Sequence, residues 1–227
     1  MDYEEEFVKK FKAISHGQNS YEMWDAFVSS FAAMIAVASM NKCDWLVKRA
    51  DASMRNTPAT PDQVAELWII VTDAFEESPN RDLLGSLYMK LGLGSKETGQ
   101  FFTPYHISKM TADIAIQDAA RIRDAIKERG YATVNDPAAG GGANLIAFAN
   151  ACREMGINYQ QQVLFIAQEL SELTALTCYV QLSLLGCAGA VYIGDSLKGS
   201  FRTMLTTPAF TLGPAWHSRL MSLGESA

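Results

Sequence analysis

Three acidic residues in the second half of the chain come at or just after the end of a short apolar run. Asp136 follows YATVN, Glu169 comes one residue after VLFIA, and Asp195 follows AVYIG, with three glycines at 140–142 close behind Asp136. Glycines let a ligand approach the backbone closely. A carboxylate in the position of Glu169 can accept hydrogen bonds from ribose hydroxyls, and one in the position of Asp195 can accept from the exocyclic amine of adenine. The pattern predicts three loops that meet at one ligand.

Each of these features also has a simpler structural explanation. Three glycines can form a tight turn, Glu169 can be a favourable charge at a helix N-terminus, and Asp195 can be a turn or cap residue. Their joint occurrence, each after a successive apolar run, is what favours a binding site. The loop lacks the full GxGxxG pattern with an acid about 20 residues further on that marks NAD sites. A dinucleotide site is therefore the weaker interpretation.

The segments around these acids alternate between predicted strands and predicted helices. A helix over 144–155 follows the glycines, another begins at Ser171, and a long helix carrying Ile107 through Ile126 ends at Gly130 before the first strand. Strand, helix, strand, helix and strand in this order predict a parallel sheet with crossover helices. Such sheets bind ligands at the carboxyl ends of their strands, which is where the three acids are expected.

The first 95 residues are predicted to be helical. A set of aromatic and aliphatic residues recurs there at helical spacing and is interpreted as core: Tyr21, Trp24, Phe27, Phe31, Met34 and Ile35. Thr60-Pro61-Asp62 marks the start of a further helix. The apolar stretch 26–40 contains three serines and is shorter than the ~20 residues that a membrane span needs. It therefore predicts a buried helix, and no membrane association is expected.

Composition and charge indicate a globular protein without a strong affinity of its own for nucleic acid. The chain has 227 residues, of which 48% are hydrophobic and 19% charged, enough for one domain or a domain with a smaller attachment. A net charge of −6 disfavours autonomous binding to phosphate backbones. The four cysteines form no CxxC pair and are predicted to be buried free thiols, as in a reducing cytoplasm. The histidines are not spaced with them, so no zinc site is predicted.

Four segments together resemble the N6-adenine DNA methylase family, which includes the methylation subunits of type I restriction systems. These segments are GQFFTP at 99–104, NDPAAGGGANLIAFA at 135–149, FIAQELSELTALTCYVQLSLLG at 165–186 and VYIGDSL at 191–197. In the second of them, Ala139 and Gly141 stand where the family motif has cysteine and serine. The resemblance covers roughly residues 60 to 197 and implies a Rossmann-like α/β methyltransferase core.

The resemblance implies that the chain binds S-adenosylmethionine. Residues at the motif positions are then expected to contact successive parts of this cofactor. The methionine end is expected to contact Phe102, Thr103 and Pro104; the amino acid part Asp136, Ala138 and Gly140; the ribose hydroxyls Glu169; and the adenine amine Asp195. The cofactor carries an ammonium, a diol and an aminopurine, and the loops offer an acid for each.

The resemblance is incomplete at the catalytic motif. After the third strand the family has Asn or Asp, two prolines and then Tyr or Phe, which accept hydrogen bonds from the target amine and stack on the flipped base. The corresponding residues here are Thr207, Pro208, Ala209 and Phe210. Thr207 could accept one hydrogen bond but is a weaker substitute for asparagine, and Ala209 replaces the second proline. Thr207, Pro208 and Phe210 are nevertheless the predicted catalytic residues.

The sequence as a whole predicts a helical domain over 1–95, an α/β core with an abbreviated parallel sheet over 96–200, and a tail over 201–227. The predicted function is adenine-N6 methylation of DNA, with DNA bound weakly by the chain alone. The alternative is an inactive protein that binds the cofactor or mimics a restriction subunit. A three-stranded core would leave an exposed sheet edge, which predicts a protein partner or a homo-oligomer. A cytoplasmic location is expected.

Overall fold

A computed structural model describes residues 2–16, 19–40, 43–79, 81–94, 103–214 and 216, without the side chains of residues 118 and 119. The first described ranges are helical, as predicted. Their elements are α1 (Tyr3–Ser15), α2 (Ser20–Ala38), α3 (Asp44–Arg55), α4 (Pro61–Glu77) and α5 (Leu83–Lys90). The helix expected at Thr60-Pro61 begins there, since Thr60 and Gln63 form a reciprocal capping box and proline occupies the first turn.

Aromatic side chains form the centre of the helical half. Phe7 packs against Phe27 with ring centroids 5.2 Å apart, and Trp24 packs against Tyr88 at 5.6 Å. All four are at most 2% exposed, and burying a side chain of this size contributes on the order of 2 kcal/mol to folding. The predicted core positions are confirmed except for Tyr21 and Met34, which are 39% and 44% exposed. Buried residues occur all around α2, so helical spacing alone does not separate core from surface there.

The second half of the chain alternates helices and strands. Its elements are α6 (Tyr105–Ala115), a 3₁₀ turn (Ile116–Asp118), α7 (Ala119–Arg129), β1 (Ala132–Asp136), α8 (Ala143–Glu154), α9 (Tyr159–Gln162), β2 (Val163–Glu169), α10 (Glu172–Leu184), β3 (Ala188–Asp195), β4 (Ser200–Thr206) and α11 (Pro208–Leu212). The prediction of a single long helix before β1 was wrong. The helix is broken because α6 packs on α8 whereas α7 packs on β1, and a straight helix could not contact both.

The sheet has the strand order β1-β2-β3-β4. β1, β2 and β3 are parallel, as predicted, with α8 and α10 in the crossovers. β4 was not predicted: it pairs antiparallel with β3, from Ala190 opposite Thr206 to Asp195 opposite Ser200. It therefore covers the edge of β3 that a three-stranded sheet would expose. Within the described residues, β1 pairs with β2 alone.

The helical half and the sheet share one continuous buried core. Helix α2 packs against α10, and Arg49 of α3 joins them through ion pairs with Asp25 of α2, at 2.6 Å, and with Glu172 at the start of α10. Helix α2 has a buried face, as expected of the stretch 26–40. No helix among the described residues has the length and apolarity that a bilayer crossing requires.

All four cysteines are free and at most 3% exposed, which confirms the prediction of buried thiols. Burial raises the pKa of Cys152 to about 12 and that of Cys178 well above its usual value. Because the thiolate is the reactive form, we expect N-ethylmaleimide at pH 8 to leave the folded protein unmodified over minutes. In denaturant the same reagent should add four groups, as counted by intact mass. Modification of Cys43 without denaturant would show that the start of α3 opens.

Candidate functional site

The loop between β1 and α8 is held in shape by the carboxylate of Asp136. Its Oδ1 atom accepts a hydrogen bond from the backbone N–H of Ala138 at 3.0 Å, and its Oδ2 atom accepts one from the Asn144 side-chain amide at 3.1 Å. The backbone N–H of Ala139 donates to the carbonyl of Gln168, at the end of β2, at 3.0 Å. Asp136 thus fixes both the beginning of the loop and the first turn of α8.

Two of the three glycines are needed for different physical reasons. Gly140 and Gly142 have φ values of 56° and 98°, which side chains disfavour. A Cβ atom at Gly140 would meet no atom within 4 Å, whereas one at Gly142 would lie 3.0 Å from the Cys178 Sγ atom. Gly142 therefore allows the loop to pack closely on α10, and the backbone at Gly140 faces open space from which a ligand can approach.

Glu169 at the end of β2 connects the loops that follow the first two strands. Its Oε2 atom accepts from the backbone N–H of Gly140 at 3.0 Å, and its Oε1 atom accepts from the N–H of Ser171 at 2.8 Å. A carboxylate oxygen has two lone pairs, so each of these atoms can accept a further hydrogen bond. The side chain is half-buried, so part of it faces solvent.

The strand register arranges the three predicted acids in a diagonal row. Asp136 pairs with Ala167 in the register of β1 and β2, and Glu169 pairs with Ile193 in the register of β2 and β3. Each acid therefore lies two residues further along than the preceding one, about 7 Å per step. Because paired residues, and residues two apart in one strand, point to the same side of a sheet, Asp136 and Glu169 belong to one face.

Asp195 closes the turn between β3 and β4. Its Oδ1 atom accepts from the backbone N–H groups of Leu197 and Lys198 at 3.0 and 3.1 Å, and its Oδ2 atom lies 3.3 Å from the Lys198 ammonium. The hydrogen bond from the Lys198 backbone is the main cause that lowers the pKa of Asp195. The turn role that the sequence left open is therefore present, and a contact with adenine stays a prediction.

The GQFFTP segment is only partly within the described residues, and Phe102 lies outside them. Thr103 and Pro104 are exposed and come just before Tyr105, whose hydroxyl accepts from the Asn150 amide at 2.7 Å. Asn150 is seven residues beyond the start of α8, about 10 Å along the helix. The structure therefore places Thr103 and Pro104 beside the far end of α8 and does not bring them to the glycine loop.

The other end of α6 approaches Asp136 instead. Thr111, Ala112 and Ala115 line a cavity of about 210 Å³ together with residues of β1 and α8: Val134, Asn135, Asp136, Asn144, Leu145 and Phe148. The sequence did not indicate this, because the end of a helix that faces a site is set by packing. Asn144 was also missed. Its only sequence signal is a polar residue in the first turn after the glycines.

The predicted catalytic residues lie near the amino ends of the parallel strands, whereas the glycine loop lies at the carboxyl ends. Thr207 is fully buried, its hydroxyl donates to the Cys187 carbonyl at 2.7 Å, and the same oxygen accepts from the Gly189 N–H at 3.0 Å. Cys187 and Gly189 flank the first residue of β3, and the eight residues of that strand span about 23 Å. The fold therefore separates Thr207 from the glycine loop by the length of the strand.

Pro208 and Phe210 accompany Thr207 at this edge. Pro208 begins α11, and the Phe210 ring lies 6.1 Å from that of Trp216. Trp216 in turn packs against Tyr131 at 5.5 Å and donates its indole N–H to the Gln160 carbonyl at 2.9 Å. The segment thus crosses the amino ends of the strands, and the structure does not unite the predicted catalytic and cofactor-binding residues in one site. The reason is β4, which carries Thr207 antiparallel to β3.

The fold is an α/β arrangement with a glycine-rich loop at the carboxyl ends of parallel strands. Within the described residues, no group of three or more His, Cys, Asp or Glu side chains is arranged to hold a metal ion. Residues 80–210 match a family model described as N-6 DNA Methylase. Because this match covers more than half of the chain, the protein belongs to the N-6 DNA methylase family, as the motifs predicted. No curated protein and no solved structure matches the chain.

Proposed function

We propose that the chain binds S-adenosylmethionine at the carboxyl edge of the sheet and serves as the cofactor-binding part of a DNA adenine-N6 methyltransferase with a Rossmann-like core. One observation carries the proposal: two carboxylates from adjacent strands hold the same loop, since Asp136 accepts from the Ala138 N–H and Glu169 accepts from the Gly140 N–H. A turn that served only to connect β1 with α8 would not need a carboxylate from the next strand.

The residues at this edge fit the chemical groups of the cofactor. The Asp136 carboxylate can accept from the ammonium of the amino acid part, next to the backbone of Ala138 and Gly140. The Glu169 carboxylate can accept from the ribose diol, and Asp195 from the adenine amine. Val134, Leu145 and Phe148 supply an apolar wall. Two carboxylates at short range also favour a ligand that carries ammonium and sulfonium charges.

The cavity beside Asp136 holds only one part of this ligand. Its volume of about 210 Å³ is below the ~300–1,000 Å³ typical of ligand pockets. The remainder of the cofactor would lie across the open face of Gly140 toward Glu169, which is the direction of the diagonal row of acids. When bound, S-adenosylmethionine supplies an activated methyl group, and the residues named here bind and orient it.

The hydrogen-bond acceptors for the amine of the target adenine are proposed to come from outside this chain. Adenine N6 is a poor nucleophile because its lone pair is delocalised, so a methyltransferase must place hydrogen-bond acceptors against the amine. Thr207 is buried at the opposite edge of the sheet. We therefore propose that a partner chain, such as another subunit of a restriction-modification assembly, supplies the acceptors. The net charge of −6 favours delivery of DNA by that partner as well.

A second candidate function is cofactor binding or subunit mimicry without catalysis. The observation that favours it is the engagement of the Thr207 hydroxyl in two backbone hydrogen bonds, which gives this residue a structural role. The methyltransferase and the inactive cofactor-binding protein both predict cofactor binding, whereas subunit mimicry does not require it. They differ in whether any partner restores methyl transfer.

Calorimetric titration of S-adenosylmethionine into the purified protein tests the shared part of the proposal. We expect saturable one-to-one binding, and a rise in the free energy of unfolding of about 2.7 kcal/mol at a hundredfold excess of ligand over Kd. Transfer of a labelled methyl group to unmethylated DNA, with and without restriction-system subunits, then separates the candidates. Incorporation with a partner supports the methyltransferase, and binding without any incorporation supports the second candidate. Absence of binding would contradict the methyltransferase and the inactive cofactor-binding protein, and co-purification with restriction subunits would then test mimicry.

A further inference from the structure

A buried chain of hydrogen bonds holds the glycine loop from beneath. Gln181 of α10 is fully buried, and its side-chain amide donates to the Gly141 carbonyl at 2.8 Å and to the Asp82 Oδ1 atom at 2.7 Å. The Gln181 Oε1 atom accepts from the backbone N–H of Leu84 at 3.0 Å. Both amide hydrogens and the carbonyl of this glutamine are therefore paired, and they connect the loop to the first turn of α5.

Asp82 is buried more deeply than its role as an N-cap residue requires. Its Oδ1 atom accepts from the Gly85 N–H at 3.0 Å, as an N-cap residue does. An N-cap role alone is compatible with full exposure, yet Asp82 is only 6% exposed and also accepts from the Gln181 amide. Burial raises the pKa of its carboxyl group, so the position carries an energetic cost. A cost of this kind is offset when the buried group fixes something else.

We propose that Gln181 and Asp82 are positioning residues of the cofactor site, which hold the Gly141 carbonyl so that the Gly140 backbone meets Glu169 and faces the ligand. This inference rests on the proposed function. The loop is then attached at successive residues: Gly140 to Glu169, Gly141 to Gln181, and Gly142 to Cys178 by close packing. A loop that is ordered before binding costs the ligand less free energy than one that must be ordered by it.

The arrangement also links the helical half to the site. Leu84 and Asp82 are separated from Gln181 by 97 and 99 residues in the sequence, and both belong to the start of α5. A change in the position of α5 would therefore act on the loop through one glutamine. Asp82 and Gln181 are both buried, and neither lines the cavity beside Asp136, so their effect on binding would be exerted through the loop.

The test compares cofactor affinity across substitutions in this chain of hydrogen bonds. Gln181→Met keeps the side-chain length but removes both donors and the acceptor. We expect it to lower the affinity for S-adenosylmethionine about tenfold, which corresponds to the loss of one buried hydrogen bond. Asp82→Ala should lower this affinity to a similar degree. Asp82→Asn retains an Oδ1 acceptor for Gly85 and Gln181 and should bind within about twofold of the wild type. Calorimetry well below each melting temperature gives these values on folded protein.

Thr177→Val is the matched control. Thr177 is buried in the same helix, one turn before Gln181, and its hydroxyl donates to the Leu173 carbonyl within α10. This substitution should lower the melting temperature without changing affinity. Hydrogen exchange at the amides of residues 140–142 provides a second readout. It should accelerate in Gln181→Met and stay unchanged in Thr177→Val.

Each outcome decides the inference. If Gln181→Met melts earlier but binds like the wild type with unchanged loop exchange, the positioning role is overturned. If that variant does not fold, weak binding by Asp82→Ala with recovery in Asp82→Asn supports the role, and equal affinities overturn it. If the wild type itself shows no binding, the proposed function fails. Loop exchange then decides the inference by itself, with faster exchange in Gln181→Met supporting the attachment and unchanged exchange refuting it.

Discussion

Replacing Asp136 with alanine is expected to abolish measurable binding of S-adenosylmethionine, a loss of at least about a hundredfold in affinity. The substitution removes the carboxylate proposed to accept from the cofactor ammonium. It also leaves the Ala138 N–H and the Asn144 amide without their acceptor. Hydrogen bonds to charged groups contribute about 1.5–3 kcal/mol each, and the released loop would add an ordering cost. Calorimetric titration beside the wild type measures the difference.

Two further variants separate the charge of Asp136 from its role in the loop. Asp136→Asn keeps an oxygen for the Ala138 N–H but loses the acceptor for the Asn144 amide. It should therefore retain the beginning of the loop, weaken its link to α8 and lose the attraction for the ammonium. Asp113→Ala removes an exposed aspartate of α6 that lines a neighbouring cavity with Tyr105 and Lys109, and it should bind like the wild type. An affinity of Asp136→Ala within threefold of the wild type would mean that the ligand site is elsewhere.

The parallel strands and the glycine loop could be predicted because their signals are local. Apolar runs rich in Val, Ile and Phe end in glycine or an acid, and each run pairs with the next in order. The link between Gly140 and Glu169 follows from this order, since adjacent parallel strands bring their carboxyl ends together. Local pattern therefore sufficed for the part of the site built by β1 and β2.

β4 could not be recognised in the same way. SFRTMLT contains an exposed arginine and lacks a regular alternation of apolar and polar residues, because its outer edge lies at the surface. Its direction depends on the turn that Asp195 closes and on the irregular register at Ile193 and Gly194. A strand entering the sheet in parallel would have left Thr207 near the glycine loop. The antiparallel return carries it to the other edge.

The orientation of α6 and the role of Gln181 depend on contacts between distant segments. The spacing of Ile107, Met110 and Ile114 predicted a helix, but these residues are 41–59% exposed. The small residues Ser108 and Ala112 are the ones buried in α6. The sequence did not single out Gln181, because its partners at the start of α5 are nearly 100 residues away. Its sequence signal is a glutamine that helical spacing places among core residues.

Thr207→Val is expected to lower the free energy of unfolding by about 3 kcal/mol while leaving cofactor affinity unchanged. Valine has the shape of threonine without the hydroxyl, so the Cys187 carbonyl and the Gly189 N–H would lose a buried partner. Each buried group left without its partner costs about 1–3 kcal/mol. Denaturant unfolding and cofactor titration measure the two effects. Thr211→Val is the control, because Thr211 is only partly buried and should cost less than about 1 kcal/mol.

The same geometry predicts the result of restoring the family motif at this segment. Thr207→Asn with Ala209→Pro gives the chain an asparagine, two prolines and Phe210, yet these residues would still lie at the amino edge of the sheet. We therefore expect no gain of methyl transfer from the chain alone, together with a loss of stability, because asparagine does not reproduce the geometry of the Thr207 hydroxyl. Methylation by the restored chain would show that the segment can reach the glycine loop. It would also require β4 to leave β3, since the pairing with β3 is what holds Thr207 about 23 Å from the carboxyl edge.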